Sequence, residues 1–354
     1  MYTLTQLGWN NHFQKEWDAL SLTDFIPARI ITENKTQYKL ISETGIFEAN
    51  LMGKLLYGSE AEDLPKVGDW VAFQAMDDQN GFIFETLPRQ NSLARKKAGQ
   101  EQSAQIIASN IDKAFLVQSL DHNFNIRRLE RYLVQVYEFD IQPIIILNKS
   151  DLCDDLVEKI MEIEAIAPSV KIYPCSVHDE TGMEDIKTEV KEGESIIFLG
   201  SSGVGKSSII NYMMGETHFK TSEISDAVNK GKHTTTHREL IVLPEGGILI
   251  DNPGTREFGL TDVKKGLEMT FEEIQVLAEG CRFKGCTHQH EPDCKVQEAL
   301  AEGTLSEDRF QSYLKLQRES ANYQMSNYER RKKDKSLGKM YKSIQNGSRK
   351  LKNK

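Results

Sequence analysis

Gly200, Gly205, Lys206 and Ser207 fill the spacing G-x-x-x-x-G-K-[ST] inside the stretch IIFLGSSGVGKSSIINYM. Glycines so placed let the backbone fold around a phosphate with several N–H groups pointing inward, and the helix that follows adds its positive N-terminal dipole. Lys206 then reaches the outer phosphates, and Ser207 holds Mg²⁺ through its hydroxyl. Ser201, Ser202, Gly203, Val204 and Ser208 complete the expected phosphate-binding set. A chance glycine-rich turn is the bland alternative. The apolar strand before the motif and the helical pattern after it argue against that alternative.

A phosphate loop does not name a base. Asn148-Lys149-Ser150-Asp151 follows the apolar run PIIIL and has the form N-K-x-D that reads guanine in GTPases. Asp151 accepts from the guanine N1–H and the exocyclic amine, Asn148 supports the loop, and the Lys149 stem covers the ring face. Adenine offers no such donor pair and would leave a carboxylate unpaired, which disfavours an ATPase or nucleotide kinase. Ser176, in CSVHDETG, stands where a small residue touches the guanine carbonyl through its backbone. Asp251 and Gly254, in ILIDNPGTREFG, form D-x-x-G, with Asp251 holding Mg²⁺ through water and the Gly254 N–H sensing the γ-phosphate. The segment NKGKHTTTHREL offers a switch threonine as the second Mg²⁺ ligand: Thr235 is the choice, with Thr234 and Thr236 as loop residues.

A second cluster, GCRFKGCTHQHEPDCKV, holds Cys281, Cys286, His288 and Cys294. Three thiolates and one imidazole make a closed tetrahedral set for structural zinc, with no open position for catalysis. The spacing C-x4-C-x-H-x5-C is not a common finger, and His290 competes as a ligand. Cys153 and Cys175 lie apart and read as packed thiols.

The elements that position these groups change along the chain. Between Pro27 and Pro88 the runs PARIIT, YKLIS, IFEANLM, DWVAFQAM and FIFETL are separated by turn formers. Five short strands in so short a span predict a small barrel of the OB-fold type, with a β-sandwich reading similarly from pattern alone. The next stretch, RQNSLARKKAGQEQSAQIIASN, reads as a polar, basic linker or mobile arm. From Lys113 strands (KAFLVQSL, PIIILNKSD, VKIYPCS) alternate with helices (NIRRLERYLVQVYEF, LVEKIMEIEAI), which predicts a mainly parallel sheet flanked by helices. From about Leu267 the strands give way to helical segments. The expected domains are a barrel over 1–90, a linker over 91–110, an α/β nucleotide domain over 111–264, and a helical zinc-binding domain with a basic tail over 265–354.

In Ras-like GTPases the phosphate loop comes first; here N-K-x-D and the small-residue loop precede it. The motifs need only converge in space, so the chain reads as a circularly permuted GTPase. That order, with LGSSGVGKSS, GKHTTTHREL, DNPGTREFG and the Cys/His cluster, resembles the bacterial small-subunit-dependent GTPase family called RsgA or YjeQ. The likeness covers nearly the whole chain. It implies an OB-fold barrel, a permuted GTPase domain and a C-terminal zinc module in which His288 is the ligand. It also implies a late assembly factor of the 30S subunit whose hydrolysis of GTP is stimulated by that particle. Where Ras-like enzymes place a water-orienting Gln, this chain has Thr255, which is too short. His233 is the candidate for that role, supported by the resemblance, and His237 is the alternative; Lys206 and Thr235 complete the expected catalytic set.

The net charge is −9, with 44 Lys and Arg against 53 Asp and Glu, which argues against a protein that coats nucleic acid generally. From Tyr328 onward, however, 11 of the 44 cations stand against two acids. That tail is either a solvated frayed helix or an arm for a phosphate backbone, such as that of 16S rRNA, as is Arg95-Lys96-Lys97. No signal peptide or long apolar run is present, and five cysteines fit a reducing compartment. The expectation is a cytoplasmic monomer, not membrane-bound. The reading that competes with a turning-over enzyme is a nucleotide-gated rRNA-binding assembly chaperone, and the presence of Lys206, Ser207, Thr235 and Asp251 argues against it.

Overall fold

The structure, a computed structural model, describes residues 1–34, 37–53, 55, 63–96, 104–215, 238–251 and 260–324. Five strands form a closed barrel: β1 (Ile26–Asn34), β2 (Gln37–Ser42), β3 (Gly45–Leu51), β4 (Trp70–Ala75) and β5 (Asn80–Thr86), ordered β1-β2-β3-β5-β4. These are the five expected runs. The closure distinguishes barrel from sandwich: β1 pairs with β4, and β3 runs parallel to β5. Alternate residues such as Ile30, Tyr38, Leu40, Phe47, Phe73 and Ile83 fill the interior. The sequence reading missed helix α1 (Asn11–Leu20), capped by the Asn10 side chain, which accepts from the His12 and Phe13 N–H groups. Its signal was there, in an N-cap residue followed by Phe13, Trp17 and Leu20 at i, i+4, i+7.

The stretch expected as a linker is instead partly paired. Strand β6 (Ser92–Lys96) runs antiparallel to β7 (Ala104–Ser109), and Leu93, Ile107 and Ala108 are buried in the same core as the sheet that follows. Arg95, Lys96 and the polar residues around them had masked that short apolar pattern. Arg29 joins the barrel to the next domain. Fully buried, it donates to the carbonyls of Leu7 (2.6 Å), Gly68 (3.1 Å) and Asn110 (3.2 Å) and to Ser195 Oγ (2.8 Å). A buried cation is tolerable only when its donors are satisfied in this way.

The central domain is a six-stranded sheet, ordered β10-β9-β8-β11-β13-β12. In chain order its elements are β8 (Lys113–Ser119), α2 (Ile126–Glu138), β9 (Gln142–Asn148), α3 (Leu156–Glu164), β10 (Lys171–Pro174) and α4 (Met183–Thr188). They continue with β11 (Ser195–Leu199), α5 (Lys206–Met214), β12 (Glu239–Val242) and β13 (Ile248–Asp251). All neighbours are parallel except β12, which is antiparallel to β13. Every residue of β8 and β11 is buried, the mark of strands covered on both faces. Ala114, Leu116 and Leu199 face α2, while Phe115, Val117 and Phe198 face α4 and α5.

Helices α6 (Lys264–Thr270), α7 (Glu272–Glu279), α8 (Lys295–Glu302) and α9 (Glu307–Gln324) follow. Leu267, Phe271, Ile274, Val296, Phe310 and Leu314 build their core, which also takes in Val134 of α2. Gly266 lies so close to α2 that a Cβ there would sit 1.9 Å from the Val134 carbonyl oxygen. Glu130 of α2, fully buried, accepts from Arg309 Nη1 at 2.7 Å and from Ser312 Oγ. Arg131 makes a two-pronged pair with Glu319, 2.7 Å on each arm. Ser306 stands just before α9, its Oγ accepting from the Arg309 N–H. Among the described residues no helix is long and apolar enough to cross a membrane.

Candidate nucleotide site and metal centre

In an open α/β sheet the site lies at the carboxyl ends of the strands. Here β8, β9, β11 and β13 deliver Asp121, Asn148, Gly200 and Asp251 to the same edge. The turn after β11 needs its glycines for specific reasons. At Gly200 (φ +157) a Cβ would fall 2.6 Å from the Val117 carbonyl, and at Gly205 (φ +97) 2.0 Å from Asn148 Nδ2. Lys206 closes the turn, its Nζ donating to the carbonyls of Gly200 (2.7 Å) and Ser201 (2.8 Å). Val204 is buried beneath, whereas Ser202, Gly203 and Ser207 are exposed, and Ser208 is half-buried in the first turn of α5.

The loop that carries the N-K-x-D motif is fastened to this turn. Asn148, almost fully buried, donates from Nδ2 to the Val204 carbonyl at 2.8 Å. Gly205→Ala places a methyl against that amide, so guanine-nucleotide affinity is expected to fall about tenfold in a fluorescent-GDP titration, the worth of roughly one neutral hydrogen bond. An unchanged affinity would mean that Asn148 can move aside. Asp151 is exposed in the single turn 150–152, which the Ser150 N–H ties to the Cys175 carbonyl at 3.0 Å. Ser176 is buried; its N–H donates to Thr181 and its Oγ accepts from the Asp179 N–H. The Asp179 and Asp151 carboxylates raise the His178 imidazole above its ordinary value. Burial pushes the Cys175 thiol up to about 12, which suits a packed residue rather than a nucleophile.

Lys149 holds a left-handed conformation (φ +64), and its Nζ pairs with Asp121 Oδ2 at 2.8 Å. Burial pushes the Asp121 carboxyl up, but hydrogen bonds from Lys149, Ser119 and the Asn123 N–H outweigh it and hold the group at about 2. Being depressed, this group stabilises the fold above its unfolded value of about 3.9 and loses that contribution as pH falls towards 2. Asp121, Asn123 and Arg128 were not among the sequence candidates. They belong to no nucleotide motif, and the available signal was a polar run, SLDHNFNIRR, straight after a buried strand.

Asp251 ends β13, half-buried and opposite Glu239 of β12. Gly254 and Thr255 lie outside the described residues, as do His233, Thr234, Thr235, Thr236 and His237. Of the expected catalytic set only Lys206 is therefore described. Lys97 and the tail from Tyr328 also fall outside.

Cys281, Cys286, His288 and Cys294 converge, their ligand atoms all within 4.8 Å of one another. The Cys281 and Cys294 sulfurs are 3.7 Å apart, and His288 Nδ1 lies 3.6 Å and 3.4 Å from them. Zinc–sulfur bonds of about 2.3 Å put tetrahedral sulfurs about 3.8 Å apart, so the donor set fits a zinc ion. Burial lowers the His288 pKa and so favours the neutral imidazole that coordinates metal. Gln297 Nε2 donates to the His288 carbonyl and fixes the loop in its left-handed turn (φ +59). His290 is exposed and stands outside the cluster.

Comparison with known proteins agrees with this arrangement. The family model described as RsgA GTPase matches residues 86–261. The chain is 42% identical over 344 residues to "Small ribosomal subunit biogenesis GTPase RsgA 1" of Bacteroides thetaiotaomicron, covering 96% of each chain. It is 39% identical to "Small ribosomal subunit biogenesis GTPase RsgA 2" of Vibrio vulnificus, covering 99% of this chain and 97% of the relative. Among solved structures, YjeQ from Thermotoga maritima superposes with a TM-score of 0.62 at 25% identity, covering 82% of this chain and 97% of that one. YloQ, described as a circularly permuted GTPase, gives 0.62 at 26% identity over 85% and 97%. A five-stranded barrel, a sheet whose N-K-x-D loop precedes its G-x-x-x-x-G-K-S turn, and a helical module with a Cys₃His cluster follow one another along this chain, which belongs to the RsgA GTPase family.

Proposed function

We propose that the protein hydrolyses GTP to GDP and phosphate, slowly alone and faster on the 30S ribosomal subunit, and that it acts late in maturation of that subunit by binding 16S rRNA. The observation that carries this reading is the hydrogen bond from Asn148 to the Val204 carbonyl. It makes the base-reading and phosphate-holding loops one unit although the chain visits them in permuted order. The names of the relatives, which place those proteins in small-subunit biogenesis, support the ribosomal part.

The assigned roles follow the chemistry of each group. N–H groups of Gly200–Ser208 and the Lys206 ammonium take the phosphates; Asn148, Lys149, Asp151 and Ser176 take guanine. Ser207 and Thr235 are assigned to Mg²⁺, with Asp251 acting through water, the Gly254 N–H to the γ-phosphate, and His233 to orienting the attacking water. One structural Zn²⁺ per chain belongs on Cys281, Cys286, His288 and Cys294. The proposed units are the barrel 1–90, the connector 91–110, the GTPase domain 111–264 and the zinc-binding helical domain 265–354, working as a cytoplasmic monomer. Barrel, zinc module and basic tail are assigned to rRNA.

The test is GTP turnover by the purified protein with and without 30S subunits, with ATP as a specificity control. Stimulation confined to GTP is the expected result; GTP binding without turnover in either condition would replace the enzyme with a nucleotide-gated chaperone. A strong chelator is expected to release one zinc per chain and lower the melting temperature of the helical circular-dichroism signal, with GDP binding retained. Protein that carries no zinc and melts unchanged would make the cluster a packing feature only.

A further inference from the structure

Between β8 and α2 the chain turns through 120–125, a stretch with none of the sequence motifs of a nucleotide site, and yet it touches both halves of that site. Asp121 Oδ2 accepts from Lys149 Nζ at 2.8 Å, while its Oδ1 accepts from Ser119 Oγ (2.7 Å) and the Asn123 N–H (2.9 Å). Asn123 Nδ2 donates to the Ser202 carbonyl at 3.1 Å. Arg128, in the first turn of α2, donates from Nη1 to Ser201 Oγ at 2.8 Å and to Asn123 Oδ1 at 2.9 Å.

Helix stability does not explain an arginine at that place. A helix N-terminus carries partial positive charge and favours acids, whereas the first turn of α2 has no acid and holds Arg127 and Arg128. Arg127 pairs with Glu130 on its own helix; Arg128 reaches across to the phosphate loop. Ser201 is also the residue whose carbonyl accepts from Lys206 Nζ, so its place helps fix the lysine that faces the phosphates. Lys149, held at positive φ, would lose its side-chain anchor without Asp121.

We infer that Asp121, Asn123 and Arg128 are positioning residues of the nucleotide site, Arg128 and Asn123 setting the phosphate loop at Ser201–Ser202 and Asp121 setting Lys149 against the base. The inference rests on the GTP reading of the same site. It divides one loop into two duties with different kinetic signatures, because misplacement felt at the γ-phosphate, which GDP lacks, falls on turnover, whereas misplacement at the base, which GTP and GDP share, falls on binding.

The experiment combines steady-state hydrolysis with fluorescent-GDP titration on the full-length protein. Arg128→Ala is expected to lower kcat about tenfold with KM and GDP affinity moving less than about threefold, the effect of one charged hydrogen bond felt at the phosphates. Arg128→Lys, which keeps one donor for Ser201, is expected to recover part of it. Asp121→Asn is expected to weaken GDP binding about tenfold and raise KM to match, with a smaller fall in kcat, and Asp121→Glu to recover binding. If Arg128→Ala melts early, Asn123→Ala replaces it with the same kcat signature expected. Equal shifts of kcat and KM in both sets, or no shift in either, would overturn the inference and leave the loop as packing. Wild-type protein without turnover would defeat the GTPase reading instead. The Asp121 arm is then still decided by GDP affinity, and the Arg128 arm by affinity for a non-hydrolysable GTP analogue relative to GDP.

Discussion

Asp151→Asn is expected to cost at least about a hundredfold in affinity for GDP and to raise affinity for XDP, reversing the preference between the two bases. The guanine edge presents two donors, N1–H and the exocyclic amine, and the exposed Asp151 carboxylate can accept both. An asparagine amide keeps one acceptor for N1–H and turns a donor towards the second position, where xanthine carries a carbonyl oxygen and guanine an amine. Two donors then face each other in the GDP complex, and the contact that had joined an acceptor to a donor is lost. Competition of GDP and XDP against a fluorescent nucleotide reads the reversal directly. Undiminished GDP affinity would show that Asp151 does not read the base. Asn148, held on Val204, stays in place in this variant, so the phosphate end is expected to bind as before.

Arg309→Ala is expected to destabilise the C-terminal module by about 3 kcal/mol, the low end of what removal of one partner from a buried ion pair costs. Arg309 is the hub of that interface. It donates to Glu130 and Glu273, reaches the Thr270 carbonyl, and lies over the Phe271 ring at 4.1 Å. Without it the buried Glu130 carboxylate keeps only Arg127 and Ser312, which is why the low end applies. All three tryptophans, Trp9, Trp17 and Trp70, lie in the N-terminal part, so tryptophan fluorescence follows the barrel while far-ultraviolet circular dichroism follows the helices. The helical signal is expected to melt earlier in the variant and the fluorescence signal to hold. Coincident early melting would show that barrel and helices unfold as one unit. Pairing Arg309→Met with Glu130→Leu is expected to return much of the lost stability, because the buried charge then leaves with its partner.

Several things were legible before any fold was known. The phosphate loop could be read because its chemistry needs glycine, lysine and a hydroxyl at fixed offsets within one turn, and Gly200 and Gly205 sit where a Cβ would collide. The Cys/His cluster could be read as a candidate ligand set because its members lie within 14 residues, although choosing His288 over His290 by residues alone was beyond the spacing. The barrel strands showed their period of two, and β8 and β9 their continuous apolar runs.

What the tertiary structure alone decided joins residues far apart in the chain. Strand order made the barrel closed, through a parallel β3–β5 pair that no local pattern encodes. Helix α2 was legible as a helix, but its fully buried Glu130 follows from being covered by the sheet on one side and by α6 and α9 on the other. Arg29 meets Ser195 across 166 positions and Glu130 meets Arg309 across 179. Asp121, Asn123 and Arg128 became site residues only when β8, β9 and β11 were aligned at one edge. Residue types at short spacing determine which chemistry a segment can perform, because the geometry they need is local. Which polar group is buried, and against whom, is set by packing between segments whose order in the sequence says nothing of their distance in space.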